Sequence, residues 1–168
     1  MENPSHLFYQ TRQPRPFLDH AEGIYLWDTA GKRYLDGSSG AIISNLGHSN
    51  RAVLARMKAQ MDKATFGYRL HFRTEVSERL ADKLASLMPA GRDRIFFVSS
   101  GSEAVETAEK LARQYAWATG RESRWKIISR TPAYHGATLG ALALTGGRKF
   151  AGPFAPLFQE MPHIPAPT

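Results

Sequence analysis

The sequence predicts an α/β fold, with a parallel sheet flanked by helices and preceded by an N-terminal arm and a β-hairpin. From residue 95 onward, short apolar runs alternate with stretches of helical periodicity in a β-α-β-α order, which is typical of such sheets. Upstream, two alternating segments flank a polar turn, the pattern of a hairpin. With 168 residues, 42% of them hydrophobic, the chain can bury one core of ordinary size.

Residues 1–65 are expected to form the arm, the hairpin and one helix. Pro4, Pro14 and Pro16 exclude a regular helix, so the residues up to about Asp19 are interpreted as an arm. Residues 23–36 alternate around a turn containing Asp28 and are predicted to form the hairpin. After residues 45–50, which offer a natural N-cap, apolar residues at helical spacing predict a helix: Val53, Leu54, Met57 and Met61.

Residues 66–168 are expected to begin a larger domain. Helical spacing predicts a helix from Thr74 that ends before Pro89. The alternating segment is then predicted as strand 95–98, helix 103–118, strand 125–129 and helix 137–144. The rest is rich in glycine and proline and is predicted to hold no closing element. Because two parallel strands do not form a stable sheet alone, the chain is interpreted as the front part of something larger.

Composition narrows the classes of function. The absence of cysteine removes disulfides and thiolate metal ligands, and no metal site is predicted. The formal net charge of +7 could favour nucleic acid, but the basic residues are scattered and no helix-turn-helix, zinc or RNP-type pattern accompanies them. The chain lacks an apolar leader and any run near the ~18 apolar residues of a membrane helix. The expectation is therefore a cytoplasmic protein that binds neither nucleic acid nor membrane.

The segment from Ile95 to Glu106 carries the most chemical information, because a short strand enters a helix through Ser99-Ser100-Gly101-Ser102. A helix N-terminus presents unpaired N–H groups and a partial positive charge, which suit a phosphate. Gly101 permits close approach, and the serines add hydroxyl donors. The same residues also suit ordinary capping, since Ser100 followed by Glu103 fits a capping box. Both interpretations remain open from this segment alone.

A second loop, Tyr134-His135-Gly136, is predicted at the same edge of the sheet, where ligands of open α/β sheets collect. An anion site beside an aromatic plane suits a planar ligand that carries a phosphate. The alternatives are that Tyr134 is a buried core residue and that His135 only supports the loop. A nucleotide-binding Rossmann domain is disfavoured, because neither G-x-G-x-x-G nor G-x-x-x-x-G-K-[ST] occurs.

Four motifs in order resemble the class III aminotransferases, which use pyridoxal 5'-phosphate and have the fold type I architecture. They are Trp27-Asp28-Thr29-Ala30-Gly31-Lys32-Arg33-Tyr34-Leu35-Asp36-Gly37, Asn45-Leu46-Gly47-His48, Ser99-Ser100-Gly101-Ser102-Glu103-Ala104-Val105-Glu106-Thr107-Ala108 with Lys110-Leu111-Ala112-Arg113, and Tyr134-His135-Gly136. The resemblance runs from about Gly23 to the end. It implies that residues 66–168 are the first part of the large cofactor-binding domain, and that residues 1–65 contribute to the small domain.

The resemblance also implies roles for individual residues. Gly101 and Ser102 would hold the cofactor phosphate with Ser100 close by, and Tyr134 would stack on the pyridine ring, with His135 and Gly136 shaping the loop. A weaker implication is that Ser39, Gly40 and Ala41 border the substrate pocket. In the second motif, Asn45, Gly47 and His48 are interpreted as a structural turn and helix cap. Outside the motifs, packing is the favoured interpretation of three further residues: Phe66, Tyr68 and His71.

The chain departs from the family in one respect. The family's chemistry needs a lysine that forms the Schiff base and an aspartate on the ring nitrogen, both well downstream. The last lysine here is Lys149, in the wrong context, and the last aspartate is Asp93. The resemblance thus implies a transaminase, homodimeric in its parent form, that moves an amino group from an amine or amino acid to a 2-oxo acid. The alternatives are an inactive truncated fragment, or a relative with aminomutase, decarboxylase or racemase chemistry.

Overall fold

The computed structural model describes residues 6–9, 13–147 and 151–167. Pro4 of the predicted arm and Lys149 lie outside the described residues. The chain divides into two compact units, Met1–Glu75 and Val76–Thr168. Within the described ranges, no helix combines the length and the apolar composition needed to cross a bilayer.

The first unit holds a three-stranded antiparallel sheet of β1 (Leu18–Glu22), β2 (Tyr25–Asp28) and β3 (Arg33–Leu35), in the order β1-β2-β3. The predicted hairpin is confirmed, since Tyr25 pairs with Leu35 and Trp27 with Arg33. Its turn is closed by the Asp28 carboxylate, which accepts hydrogen bonds from the N–H groups of Ala30 (3.0 Å) and Lys32 (2.9 Å).

Strand β1 corrects the expectation of an irregular arm up to Asp19. Leu18 pairs with Asp28 and Glu22 with Tyr25, so the end of the predicted arm is part of the antiparallel sheet. The side chains of Leu18–Glu22 are exposed except for Ala21, and they show no apolar alternation. Backbone pairing with β2 therefore creates this strand, and its side-chain pattern does not signal it.

The helix predicted near Val53 is α2 (Arg51–Lys63), and its start is confirmed because the Asn50 side chain accepts a hydrogen bond from the Val53 N–H at 3.2 Å. Before it, residues Ser39–Ile42 form α1, a single irregular turn in which Gly40 and Ala41 have backbone dihedrals outside the helical region. The glycine- and serine-rich sequence explains this irregularity, because such residues adopt turn conformations readily.

Helix α3 (Glu75–Ala85) begins at the division between the units and confirms the helix predicted from Thr74. The second unit continues with α4 (Gly101–Ala118), β4 (Ser129–Thr131), α5 (Leu139–Leu144), a 3-10 helix at Gly152–Leu157 and β5 (His163–Pro165). Helices α4 and α5 confirm the two helices predicted downstream of residue 95, although α5 begins two residues later than expected.

The parallel pair of this unit differs from the predicted one. Residues 95–98 and 125–128 are not in strands, and β4 pairs in parallel with β5, which places Ser129 opposite His163. A strand exists only where a neighbour accepts and donates its backbone hydrogen bonds, and an apolar run cannot specify that neighbour. The apolar runs were therefore insufficient evidence for strands.

Strand β5 also corrects the expectation that the proline-rich end holds no closing element. Proline lacks an N–H but keeps its carbonyl, so it can stand at the end of an edge strand. The Pro162 carbonyl accepts the Ser129 N–H at 3.1 Å, and the Thr131 carbonyl accepts the Ala166 N–H at 2.9 Å.

Helix α5 is the centre of the small core. Ala141, Leu142, Ala143 and Leu144 are all buried. The Leu144 carbonyl accepts hydrogen bonds from the Ser129 hydroxyl (2.7 Å) and from His163 Nε2 (3.2 Å), which ties the helix to both parallel strands. The core of the described part of this unit is therefore built around a six-residue helix that directly follows the Tyr134-His135-Gly136 loop.

The apolar face of α4 points away from this core. Leu111 and Tyr115, four residues apart on one face of the helix, are 65% and 62% exposed. The opposite face carries Ser102 and Glu106, and both form hydrogen bonds to the segment that contains α5. This helix thus presents its polar face to the candidate site.

Candidate functional site

The N-terminus of α4 is capped by the serine loop. Ser100 has an extended backbone, and its Oγ accepts the Glu103 N–H at 3.2 Å. The Glu103 carboxylate in turn accepts the Ser99 N–H at 2.7 Å, one residue earlier than a standard capping box. The capping interpretation of Ser100 is thus confirmed.

Capping and anion binding are compatible at this helix end. The Ser100 oxygen accepts a hydrogen bond as a cap, and its hydroxyl hydrogen remains a donor. The N–H groups of Gly101 and Ser102 lie in the first helical turn, where no intrahelical acceptor exists. A carbon added at Gly101 in place of its hydrogen would meet no atom within 4 Å, so the approach to these donors is open.

The structure brings the serine loop and the Tyr134-His135-Gly136 loop together. The Ser102 hydroxyl oxygen accepts the Ala137 N–H at 3.0 Å. A Cβ at Gly136 would lie 2.7 Å from Ser102 Oγ and 2.6 Å from Ala141 Cβ, distances that no real Cβ tolerates. Gly136 also has a φ of +147°, which L-residues rarely adopt. Glycine is therefore required where the two loops touch.

The Tyr134-His135-Gly136 loop is fixed from behind by a buried threonine. The Thr145 hydroxyl oxygen accepts the His135 N–H at 3.0 Å, and the same hydroxyl lies 3.2 Å from the Gly136 carbonyl. An antiparallel bridge between Ala133 and Gly146 closes the base of the loop. The loop's backbone is therefore held on both sides.

The two side chains at the tip of this loop have opposite environments. Tyr134 is 66% exposed, so it is not the buried core tyrosine that the sequence left as an alternative. His135 Nε2 is buried and has no hydrogen-bond partner within the described part of the chain. An exposed aromatic ring on a loop that contacts the N-terminus of α4 suits a planar group that carries a phosphate.

Two glutamates on the polar face of α4 form part of the site region, and the sequence analysis assigned neither of them a role. The Glu106 Oε1 accepts the Gly140 N–H at 3.1 Å, and the bond from the Thr138 hydroxyl is the main reason that the pKa of Glu106 is lowered. Burial raises the pKa of Glu109, and the charge of Glu106 raises it further. The spacing of four residues from Ser102 to Glu106 was the available signal, because it places both on one helix face.

In the first unit, Ser39, Gly40 and Ala41 form the irregular turn α1 next to a carboxylate. The Asp36 carboxylate accepts the Gly40 N–H at 3.4 Å and is bonded to His48 Nε2 at 2.8 Å. The bond to His48 holds the pKa of Asp36 below its usual value. His48 thus has a structural role, as predicted, and Asp36 is the residue that sequence reasoning overlooked.

The chain matches the model of the family "Aminotransferase class-III" over residues 9–168. It is 45% identical over 153 residues to the uncharacterized aminotransferase YodT of Bacillus subtilis, covering 90% of this chain and 34% of that protein. It is 41% identical over 152 residues to an acetylornithine aminotransferase of Archaeoglobus fulgidus, covering 90% of this chain and 38% of that protein. The chain thus spans about a third of the length of these curated relatives.

Comparison with solved structures also indicates transaminases. An (S)-enantioselective omega-transaminase from Thermomicrobium roseum superposes with a TM-score of 0.90 at 37% identity, over 96% of this chain and 38% of that one. The omega-transaminase from Pseudomonas jessenii, solved in complex with PMP, superposes with a TM-score of 0.90 at 29% identity, over 97% of this chain and 38% of that one. The chain therefore belongs to the class III aminotransferases, a pyridoxal-phosphate-dependent family, and has part of the corresponding fold.

Proposed function

We propose that this chain supplies the phosphate-binding and ring-binding half of a transaminase that moves an amino group from an amine or amino acid to a 2-oxo acid. The observation that carries the proposal is the 3.0 Å hydrogen bond from the Ala137 N–H to the Ser102 hydroxyl oxygen, which joins the two loops. Family membership supplies the cofactor, which acts as an electron sink when it is bound.

The proposed phosphate site consists of donors from one helical turn. The N–H groups of Gly101 and Ser102 and the hydroxyl hydrogen of Ser100 would hold the anion, assisted by the positive end of the α4 dipole. Glu103 keeps the loop in shape through its bond to the Ser99 N–H, at 2.7 Å. These groups would bind and orient the cofactor phosphate, and they have no role in proton transfer.

The proposed ring site is the exposed side chain of Tyr134, in an offset stacking arrangement worth about 0.5–1.5 kcal/mol beyond burial. His135 and Gly136 would shape the loop around the ring, and the contact of Gly136 with Ser102 sets the separation of ring and phosphate sites. Ser39, Gly40 and Ala41 are proposed to border the substrate pocket, which rests on the family resemblance alone.

The reacting half of the site is proposed to come from chain beyond Thr168. The relatives are about three times as long as the matched region, which leaves room for the lysine and the ring-nitrogen aspartate that the family requires. Reading the coding sequence past Thr168 for a strand-borne aspartate followed by a lysine tests this directly. A homodimer of the full-length gene product is proposed on the same basis.

The activity is tested by reconstituting the full-length gene product with pyridoxal phosphate. Adding an amino donor without acceptor should bleach the visible cofactor band, and adding a 2-oxo acid should restore it. No response to any donor across amines and amino acids would refute transamination. Product analysis separates the alternatives, because carbon dioxide release indicates a decarboxylase and an isomeric amine indicates an aminomutase.

The second candidate is a catalytically inactive fragment, and the observation that bears on it is the exposure of apolar side chains in this chain. Leu111 is 65% exposed and Phe96 is 58% exposed, which predicts aggregation rather than stable folding of the 168-residue piece. Purification of the 168-residue chain decides the matter. A folded, soluble chain loaded with pyridoxal phosphate would exclude an inert fragment that neither folds nor binds the cofactor, and an assay of the same chain with amino donor and 2-oxo acid would test its activity.

A further inference from the structure

The short helix α5 depends on a carboxylate from another helix for its N-terminal capping. Thr138 is the N-cap residue of α5, but its side chain forms no capping bond to its own helix. Glu106 of α4 provides the acceptor, since its Oε1 receives the Gly140 N–H at 3.1 Å and bonds from the Thr138 hydroxyl and the Ala141 backbone also lower its pKa. One carboxylate thus satisfies three donors at this helix end.

This arrangement is tight. A Cβ at Gly140 would lie 3.1 Å from the Glu106 Cδ and Oε1, so the absence of a side chain at Gly140 lets the carboxylate reach the backbone. With six residues, α5 is far below the ~12–15 residues at which an isolated helix becomes stable, so its position depends on such contacts. A carboxylate at the N-terminus also complements the helix dipole.

Helix α5 in turn fixes the loop that carries Tyr134. The Thr145 hydroxyl, directly after α5, holds the His135 N–H at 3.0 Å. From the other side, Ser102 holds the Ala137 N–H at 3.0 Å. Ser102 and Glu106 are one turn apart on α4, so a single helix fixes both the loop and the helix that follows it.

We propose that Glu106 is a positioning residue for the ring-binding loop. It acts through α5 and Thr145 on residues 134–136 and has no direct role at the phosphate donors. The proposal rests on the proposed function, in which Tyr134 stacks on the cofactor ring. Two charged groups of the same helix interact with Glu106: the charge of Lys110 contributes to lowering the pKa of Glu106, and the charge of Glu106 contributes to raising the pKa of Glu109.

The proposal distinguishes ring binding from phosphate binding, so the experiment measures both in the full-length gene product. The apo form of wild type and Glu106→Ala is titrated with pyridoxal phosphate and, separately, with inorganic phosphate. We expect Glu106→Ala to weaken pyridoxal phosphate binding about tenfold, the scale of losing hydrogen bonds to a charged group, and to leave phosphate binding within about twofold. The visible circular dichroism of the bound cofactor should fall, because it reports a fixed ring.

Conservative and matched variants keep the experiment decisive if Glu106→Ala folds poorly. Glu106→Gln keeps one oxygen acceptor, so it should restore most of the dichroism and affinity. Thr138→Val leaves Glu106 in place and removes only the Thr138 hydroxyl. It should lower the affinity for pyridoxal phosphate and the dichroism in the same direction as Glu106→Ala, but by less. Glu122→Ala, the same substitution as Glu106→Ala at an exposed carboxylate after α4, is the control and should change the affinity for neither ligand.

The outcomes separate this inference from the proposed function. Wild type that binds no pyridoxal phosphate refutes both. Wild type that binds it, with Glu106→Ala and Thr138→Val unchanged in affinity and dichroism, overturns only the positioning role. A parallel loss of pyridoxal phosphate and inorganic phosphate binding would assign Glu106 to general stability and would also overturn the proposal.

Discussion

Replacing Gly136 with alanine should damage the junction of the two loops. The added methyl would lie 2.6 Å from Ala141 Cβ and 2.7 Å from Ser102 Oγ, and 3.1 Å from Ser102 Cα. Because Ala141 is fully buried and Ser102 Cα belongs to the backbone of α4, neither neighbour can rotate away. The overlap must therefore be relieved by moving the loop or the helix.

The expected cost has two parts. Overpacking of a tight site costs about 1–3 kcal/mol. A non-glycine residue held at a φ of +147° adds about 1–3 kcal/mol of backbone strain. The free energy of unfolding should therefore fall by about 2–6 kcal/mol, and the bond between Ser102 and Ala137 should be lost with it.

A matched variant isolates the steric part. Gly120 also has a positive φ, of +69°, but a Cβ there would meet no atom within 4 Å. Gly120→Ala should therefore show backbone strain alone, about 1 kcal/mol. Urea unfolding of the full-length gene product measures both, together with the dissociation constant of pyridoxal phosphate, which only Gly136→Ala should raise. Equal destabilisation by the two substitutions would refute the close approach of the loops.

The remaining predictions concern the helix end and two carboxylates. Gly101→Ala meets no atom within 4 Å and should leave stability of the apo protein unchanged or slightly higher, while pyridoxal phosphate binding, measured by titration, weakens about tenfold through lost contact with the anion. Unchanged binding would leave the helix end as a cap only. The hydrogen bond from Tyr34 (2.7 Å) lowers the pKa of Asp28 below the usual 3.8, so the ionised form stabilises the hairpin above about pH 4 and that contribution disappears as pH falls through the folded pKa. Asp28→Asn should reduce the acid dependence of the melting temperature between pH 7 and 3, and an unaltered profile would contradict this. Burial raises the pKa of Glu109 above the usual 4.5, so ionisation of Glu109 destabilises the folded protein as pH rises above that value. Glu109→Gln should therefore raise the melting temperature at pH 7 more than at pH 4. Glu122→Gln is the control, and an equal effect of both substitutions would exclude burial as the cause.

Local sequence signals predicted the elements that depend on neighbouring residues. The hairpin of β2 and β3 follows from alternation around a turn that Asp28 closes with bonds to Ala30 and Lys32. The starts of α2 and α4 follow from Asn50 and Ser100, which cap residues three positions later. Each of these interactions spans at most four residues, which is why the sequence was sufficient.

Elements that depend on distant partners were not predictable in this way. Strand β1 is exposed along most of its length, and β5 contains a proline, so neither carries a strand pattern. The runs at 95–98 and 125–128 carry such a pattern and form no strand in the described structure. A strand forms only where the tertiary structure brings a second segment alongside to share backbone hydrogen bonds. The side-chain periodicity of a segment describes that segment alone and does not identify its pairing partner.

The candidate site divides along the same line. The sequence by itself determined which residues could bind a phosphate and an aromatic ring, because helix-end donors and loop residues are local features of 99–102 and 134–136. Only the tertiary structure decided that these loops meet through Ser102 and Ala137, that Gly136 must lack a side chain, and that Glu106 caps α5. The physical reason is distance along the chain: contacts across more than thirty residues depend on how helices pack, and no local propensity encodes them.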